Sequence, residues 1–152
     1  QMKYIIEKKY EGNENFKSIR LSYVFSNRDK FTNYLKNISH NNIAKVYHPL
    51  FRNVICIDDV IEGLEIICQN WPDIQLSNIN FGGPKLISRK DIVSTLKSDI
   101  YKNLKYEIIK PNKDFYLARP KYIALDISSL RDLLGREPLS ISKFINLKKD
   151  KF

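Results

Sequence analysis

Apolar positions along the chain change spacing repeatedly, from every second residue to every third or fourth, and this switching predicts alternating strands and helices. From Lys3 to about Glu11 the spacing is helical, with Tyr4, Ile5 and Lys8 on one face and Gly12-Asn13 as the stop. Ser18 to Phe25 alternates and is rich in branched and aromatic residues, so it reads as a strand. Asp29 opens a helix carrying Phe31, Tyr34, Leu35 and Ile38. Ala44–Tyr47 and Asn53–Ile57 are apolar runs too short for helices and read as strands around Pro49.

The second half continues the pattern. Asp58-Asp59 has the chemistry of a helix N-cap, and the helix through Val60, Leu64 and Ile67 should end before Trp71-Pro72. Leu76–Phe81 reads as a strand running into Gly82-Gly83-Pro84, and Ser88 with Asp91 is a capping box for a helix holding Ile92, Val93 and Leu96. Strands are expected at Tyr106–Ile109 and Tyr122–Leu125. A helix follows from Asp126 through Leu130, Leu133 and Leu134 to Gly135, and a last one begins at Ser140 with Phe144, Ile145 and Leu147 on its apolar side. The alternation favours an α/β architecture over an all-helical or all-β one.

Composition narrows the partners. The chain has 152 residues, 43% of them hydrophobic and 28% charged, enough for one domain with a real core. A net charge of +9 calls for anionic partners: phosphates, nucleotides, nucleic acid or acidic membranes. Nucleic acid is disfavoured because the basic residues are scattered rather than clustered. No apolar run is long enough to span a bilayer, so a cytoplasmic location without a membrane partner is expected. Cys56 and Cys68 sit among apolar residues with no CxxC and no nearby histidine, and are expected to be reduced core thiols. His40 and His48 stand alone, which argues against a metal site or a histidine triad.

Several motifs occur in a telling order: K-x-x-x-E (Lys3, Glu7), I-R-L-S-Y-V-F (Ile19 to Phe25), R-N-V-I-C-I-D-D-V (Arg52 to Val60), N-F-G-G (Asn80 to Gly83), S-R-K-D-I (Ser88 to Ile92), then R-P, L-D-I-S-S-L and L-L-G-R-E-P. Together they resemble extended short-chain dehydrogenases/reductases, in particular the dTDP-4-dehydrorhamnose reductase and NAD-dependent sugar-nucleotide epimerase/dehydratase branch. The resemblance covers nearly the whole chain but only the C-terminal half of such an enzyme. It implies an α/β fold: the last strands and helices of an NAD(P)-binding Rossmann-like sheet together with the small α/β substrate-binding domain. Residues 1–28 would end the cofactor domain and residues 29–152 would form mainly the substrate-binding portion.

The resemblance also assigns roles. Family members pair a tyrosine that exchanges a proton with a lysine that lowers its pKa and holds the nicotinamide ribose, in a Y-x-x-x-K motif. Lys3 matches that lysine and is the expected catalytic and cofactor-binding residue, its tyrosine falling two positions before Gln1. A rival register, Tyr4 with Lys8, leaves too few residues before Arg20 for the family's helix, turn and strand. Tyr23 falls where the reductases carry an aromatic residue at the nicotinamide and sugar end of the pocket; the alternative is a core aromatic. Arg52 and Arg119 match arginines that reach the nucleotide diphosphate in the epimerases, and a guanidinium fork can hold phosphate oxygens through two hydrogen bonds. The alternative for each is a surface salt bridge. Ser26 replaces a usual glycine. Asp58 and Asp59 are accounted for by helix capping and loop closure, and Asn80–Gly83 by a strand-to-helix turn.

The expected function is therefore the substrate-binding part of an NAD- or NADP-dependent enzyme acting on a nucleotide-linked sugar of dTDP or UDP type, a reductase or epimerase/dehydratase of surface polysaccharide synthesis. Its parent could be a homodimer, and the chain alone should be inactive. The glycine-rich dinucleotide fingerprint has no counterpart in this sequence. The competing classes are a basic nucleic-acid-binding module and a non-catalytic binding subunit of the same fold.

Overall fold

A computed structural model describes residues 2–38 and 42–152. Gln1 and His40, both used in the sequence reading, lie outside the described residues. The elements in order are α1 (Met2–Lys9), β1 (Ser18–Leu21), β2 (Val24–Phe25), α2 (Lys30–Asn37), β3 (Ala44–Tyr47), β4 (Phe51–Asn53), β5 (Ile55–Cys56), α3 (Ile57–Gln69), β6 (Asn78–Phe81), β7 (Leu86–Ser88), α4 (Arg89–Asp99), β8 (Tyr106–Ile109), α5 (Lys113–Leu117), β9 (Tyr122–Ile123), α6 (Ser128–Leu134) and α7 (Ile141–Leu147), followed by one turn of 3-10 helix at Lys149–Lys151.

The strands form small sheets. Three parallel pairs, β1 with β6, β2 with β5 and β3 with β8, accompany a mixed sheet in which β4 lies between antiparallel β7 and parallel β9. Parallel pairing needs crossover connections, and helices lie within them here: α2 falls between β2 and its partner β5. Two apolar clusters result. One gathers Phe25, Leu35, Val46, Val93, Leu96, Phe144 and Ile145; the other gathers Ile55, Ile67, Ile79, Phe81 and Leu130.

Local chemistry explains most boundaries. Asp29 caps α2 by accepting from the amides of Phe31 and Thr32, and Ser88 with Asp91 closes the expected capping box on α4. Gly135 ends α6 with φ of 63°, a conformation that suits a residue without a Cβ. Gly83 answers a different demand, because a Cβ there would lie 1.8 Å from the Val54 carbonyl oxygen. The chain crosses itself at that point: the Gly83 amide donates to the Asn53 carbonyl at 3.0 Å, and the Asn53 side-chain amide donates to the Gly83 carbonyl at 3.0 Å.

Several expectations are corrected. The strand expected from Ser18 to Phe25 is two, broken at Ser22-Tyr23, and β7 intervenes between the Gly82-Gly83 loop and α4. α3 begins at Ile57, so Asp58 and Asp59 occupy its first turn rather than the cap, where Cys56 makes no side-chain cap bond. Asp59 closes the loop instead. Its buried carboxylate accepts from the Arg136 guanidinium at 2.8 Å and from the Leu139 amide at 2.7 Å, while Arg136 also reaches Glu62. This pins the link between α6, in one cluster, and α7, in the other. Cys56 is buried as expected, but Cys68 is exposed on the solvent face of α3 and is not a core thiol. Leu147 is likewise exposed rather than on the apolar side of α7.

Candidate functional site

The mixed sheet positions a cationic cavity. Arg52 comes from central strand β4, opposite Ile87 of β7 and Ile123 of β9. Two residues beyond Ile87, Arg89 begins α4; Arg119 lies on the segment between α5 and β9. With Tyr23, from the break between β1 and β2, the three arginines line a cavity of about 190 Å³ whose floor includes Leu50 and Val54. Sequence reasoning placed Arg52, Arg119 and Tyr23 as substrate contacts, and the fold brings all three together. It missed Arg89, because the capping box around it already accounts for Ser88 and Asp91.

Each arginine is held differently. The Arg52 guanidinium donates to the carbonyl oxygens of Phe51 at 2.6 Å and Pro120 at 2.9 Å, which ties β4 to the chain carrying Arg119. Arg119 lies over the Phe115 ring at 4.9 Å, and Arg89 over the Phe31 ring at 5.0 Å. Among the described residues none of the three forms a salt bridge, so the surface ion-pair alternative does not hold for Arg52 or Arg119. Burial, reinforced by the Arg89 charge, lowers the Arg52 pKa from its ordinary value, although a guanidinium stays charged at any physiological pH. Among the described residues no carboxylate lines this cavity, so its field is positive.

Tyr23 is fixed in the cavity wall by its hydroxyl. Its hydroxyl donates to Asp29 Oδ1 at 2.5 Å, and burial first, then this contact, pushes the phenol far above its ordinary value. Asp29 is fully engaged: Oδ1 also accepts from the amides of Phe31 and Thr32, and Oδ2 from the Ser26 amide and the Thr32 hydroxyl. Ser26, in place of the usual glycine, fits without left-handed backbone, and its hydroxyl accepts from the Arg28 amide.

Lys3 is elsewhere. It is exposed on α1 beside a crevice shared with Ile6, Glu7, Ser18, Arg20 and Leu21, and that crevice has no lining residue in common with the arginine cavity. Glu7, one turn along, is committed to Arg20 at 2.7 Å and to the Ser18 hydroxyl at 2.9 Å, which anchors α1 to β1. The structure thus gathers three of the four expected site residues and leaves Lys3 on a separate surface.

The architecture is that of the C-terminal half of extended short-chain dehydrogenase/reductase structures. A UDP-glucuronic acid 4-epimerase from Bacillus cereus, solved with UDP-glucuronic acid and NAD, superimposes with a TM-score of 0.70 at 20% identity, over 98% of this chain and 49% of that one. The ADP-L-glycero-D-manno-heptose-6-epimerase of Helicobacter pylori gives the same TM-score, identity and coverage. An NAD-dependent NDP-hexosamine 5,6-dehydratase of tunicamycin biosynthesis gives 0.68 at 17% identity, over 97% of this chain and 49% of that one. The chain therefore spans about half the length of the solved structures it matches. No protein-family model matches the sequence, and no curated protein matches it at a significant level.

Proposed function

We propose that this chain is the substrate-binding part of an NAD(P)-dependent enzyme acting on nucleotide-linked sugars, and that the cavity of Arg52, Arg119 and Tyr23 receives the nucleotide diphosphate. The observation that carries the proposal is the convergence of guanidinium groups from separate segments on one small cavity, with no acidic partner among the described residues. Residues 29–152 would supply this site, and residues 1–28 the edge of a cofactor domain. The reactions open to it are epimerisation or dehydration, as the similar structures' names suggest, or reduction of the dTDP-4-dehydrorhamnose type; surface polysaccharide synthesis in the cytoplasm is the fitting setting. A homodimer is proposed for the parent enzyme.

Of this chain's residues, Lys3 fits a nicotinamide cofactor: it is an exposed ammonium with no ion-pair partner among the described residues, beside an open crevice. Tyr23 does not fit the same role, since its hydroxyl is taken by Asp29 and it faces the arginines. When bound, NAD(P) supplies or accepts hydride. Lys3 would hold the ribose and favour ionisation of a tyrosine outside this sequence, while Arg52 and Arg119 orient the diphosphate. Alone, the chain binds but does not turn over substrate.

Calorimetric titration of the chain with UDP-glucose and with a dTDP-linked hexose tests the site. Replacing either arginine, R52A or R119A, should weaken binding about tenfold or more, the loss expected for a charge-assisted hydrogen-bond pair, with an unchanged circular-dichroism melt for R119A and a lowered one for R52A, which also gives up the bonds to the Phe51 and Pro120 carbonyls. Unchanged affinity in both variants would overturn the assignment.

A further inference from the structure

Charge counting at the cavity goes further than the diphosphate. A nucleotide-linked sugar carries one negative charge on each phosphate, which Arg52 and Arg119 match. Arg89 then remains as an additional cation on the same 190 Å³ cavity. No carboxylate among the described residues pairs with it. Asp29 has both oxygens occupied by Tyr23, Ser26, Phe31 and Thr32, and Asp91 Oδ2 accepts from the Ser88 amide and hydroxyl in the capping box. Among the described residues the Arg89 side chain has neither a hydrogen-bond acceptor nor a salt bridge; what holds it is the face of Phe31, at 5.0 Å, which leaves the N–H edges of the guanidinium unspent. Its neighbours on the cavity wall, Ile87 and Ile92, offer it nothing polar.

Resting on the reading above, we infer that Arg89 selects the sugar: the ligand of this cavity is a nucleoside diphosphate linked to an acidic sugar, whose carboxylate pairs with Arg89. The position supports a role apart from the diphosphate arms. Arg52 and Arg119 are joined through the Arg52 contact to the Pro120 carbonyl at 2.9 Å, whereas Arg89 enters from the β7–α4 side, next to Tyr23. A guanidinium matches a carboxylate in two parallel hydrogen bonds, so the preference should be lost with its charge and geometry rather than graded with size.

The test is calorimetric titration of the unaltered chain and of R89Q, R89K and R52A with UDP, UDP-glucose and UDP-glucuronate at one ionic strength. UDP-glucuronate should bind the unaltered chain about tenfold tighter than UDP-glucose, a preference that R89Q abolishes and R89K partly restores, with UDP-glucose affinity held within about twofold. Loss confined to UDP would assign Arg89 to a terminal phosphate, and equal loss for all three ligands would assign it to the diphosphate; either overturns the inference. No change in R89Q, with binding still weakened in R52A, overturns it while the diphosphate site stands. If no nucleotide binds the unaltered chain, both fall together.

Discussion

Helices α1 and α3 both carry several large apolar residues, yet they meet opposite fates. α3 buries Val60, Gly63 and Ile67 against the second cluster, and its Asp59 fastens the α6–α7 link. α1 buries nothing: Met2 is 77% exposed, Tyr4 63% and Ile5 62%. Eight residues are too few for an isolated helix to persist in water, where about 12–15 are needed even for good formers. What ties α1 to the body is polar, the Glu7 carboxylate on Arg20 and Ser18. Apolar composition therefore does not locate the core; the core is where a partner surface exists.

The sharpest way to test this contrast is to cut each helix's attachment. D59A removes a buried carboxylate and strands the Leu139 amide, while Arg136 keeps Glu62, and should cost about 2 kcal/mol in urea denaturation. I5S on α1 should stay within about 0.5 kcal/mol of the unaltered chain, because an already exposed side chain loses no burial. A comparable cost for I5S would show that α1 is part of the cooperative core.

The thiols give a second, smaller contrast. Burial, then the Asp59 and Asp58 charges, raises the Cys56 pKa far above its ordinary value, while Cys68 is exposed. At pH 8 in native buffer, iodoacetamide should label Cys68 alone, with Cys56 reacting only after denaturation; mass spectrometry of tryptic peptides reads this directly. Early labelling of Cys56 would mean that the β5–α3 junction opens.

The mildest effect is on α1 itself. The hydrogen bonds from Arg20 and then Ser18 hold the Glu7 pKa below its ordinary value. A lowered folded pKa means the anchor contributes fully above the unfolded value, about 4.3, and is lost as pH falls through the lower folded one. The amide-exchange protection of Ile6–Lys9, relative to the intrinsic rate at each pH, should therefore fall on acidification below pH about 4 before that of α3, and E7Q should show low protection already at neutral pH.

Much of this was legible in the residues. The capping box at Ser88-Asp91, the Asp29 cap, strands β3 and β8 and the Gly135 stop follow from local chemistry that needs no tertiary context. Strands β4 and β7, of three residues each, are too short for alternation to register, and α5 hides in a stretch without a buried face. Arg52 and Arg119, which share the cavity, were singled out through the motifs around them. Arg89 was not, because its meeting with Arg52 depends on the antiparallel register that sets Arg52 opposite Ile87, a long-range pairing that no local pattern encodes. The solvent-facing position of Cys68 was missed for a related reason: its apolar neighbours Ile66 and Ile67 turn inward on a helix while it turns out.

The crossing at Gly83 has a consequence for how this protein can vary. Its missing side chain leaves the space that the Val54 carbonyl occupies, and Val54 is also part of the floor beneath the arginines. Even a methyl group at position 83 must displace that backbone, and with it one wall of the cavity. In a saturation library selected for folded protein, position 83 should return glycine almost alone, because every other residue brings the Cβ that the Val54 carbonyl excludes.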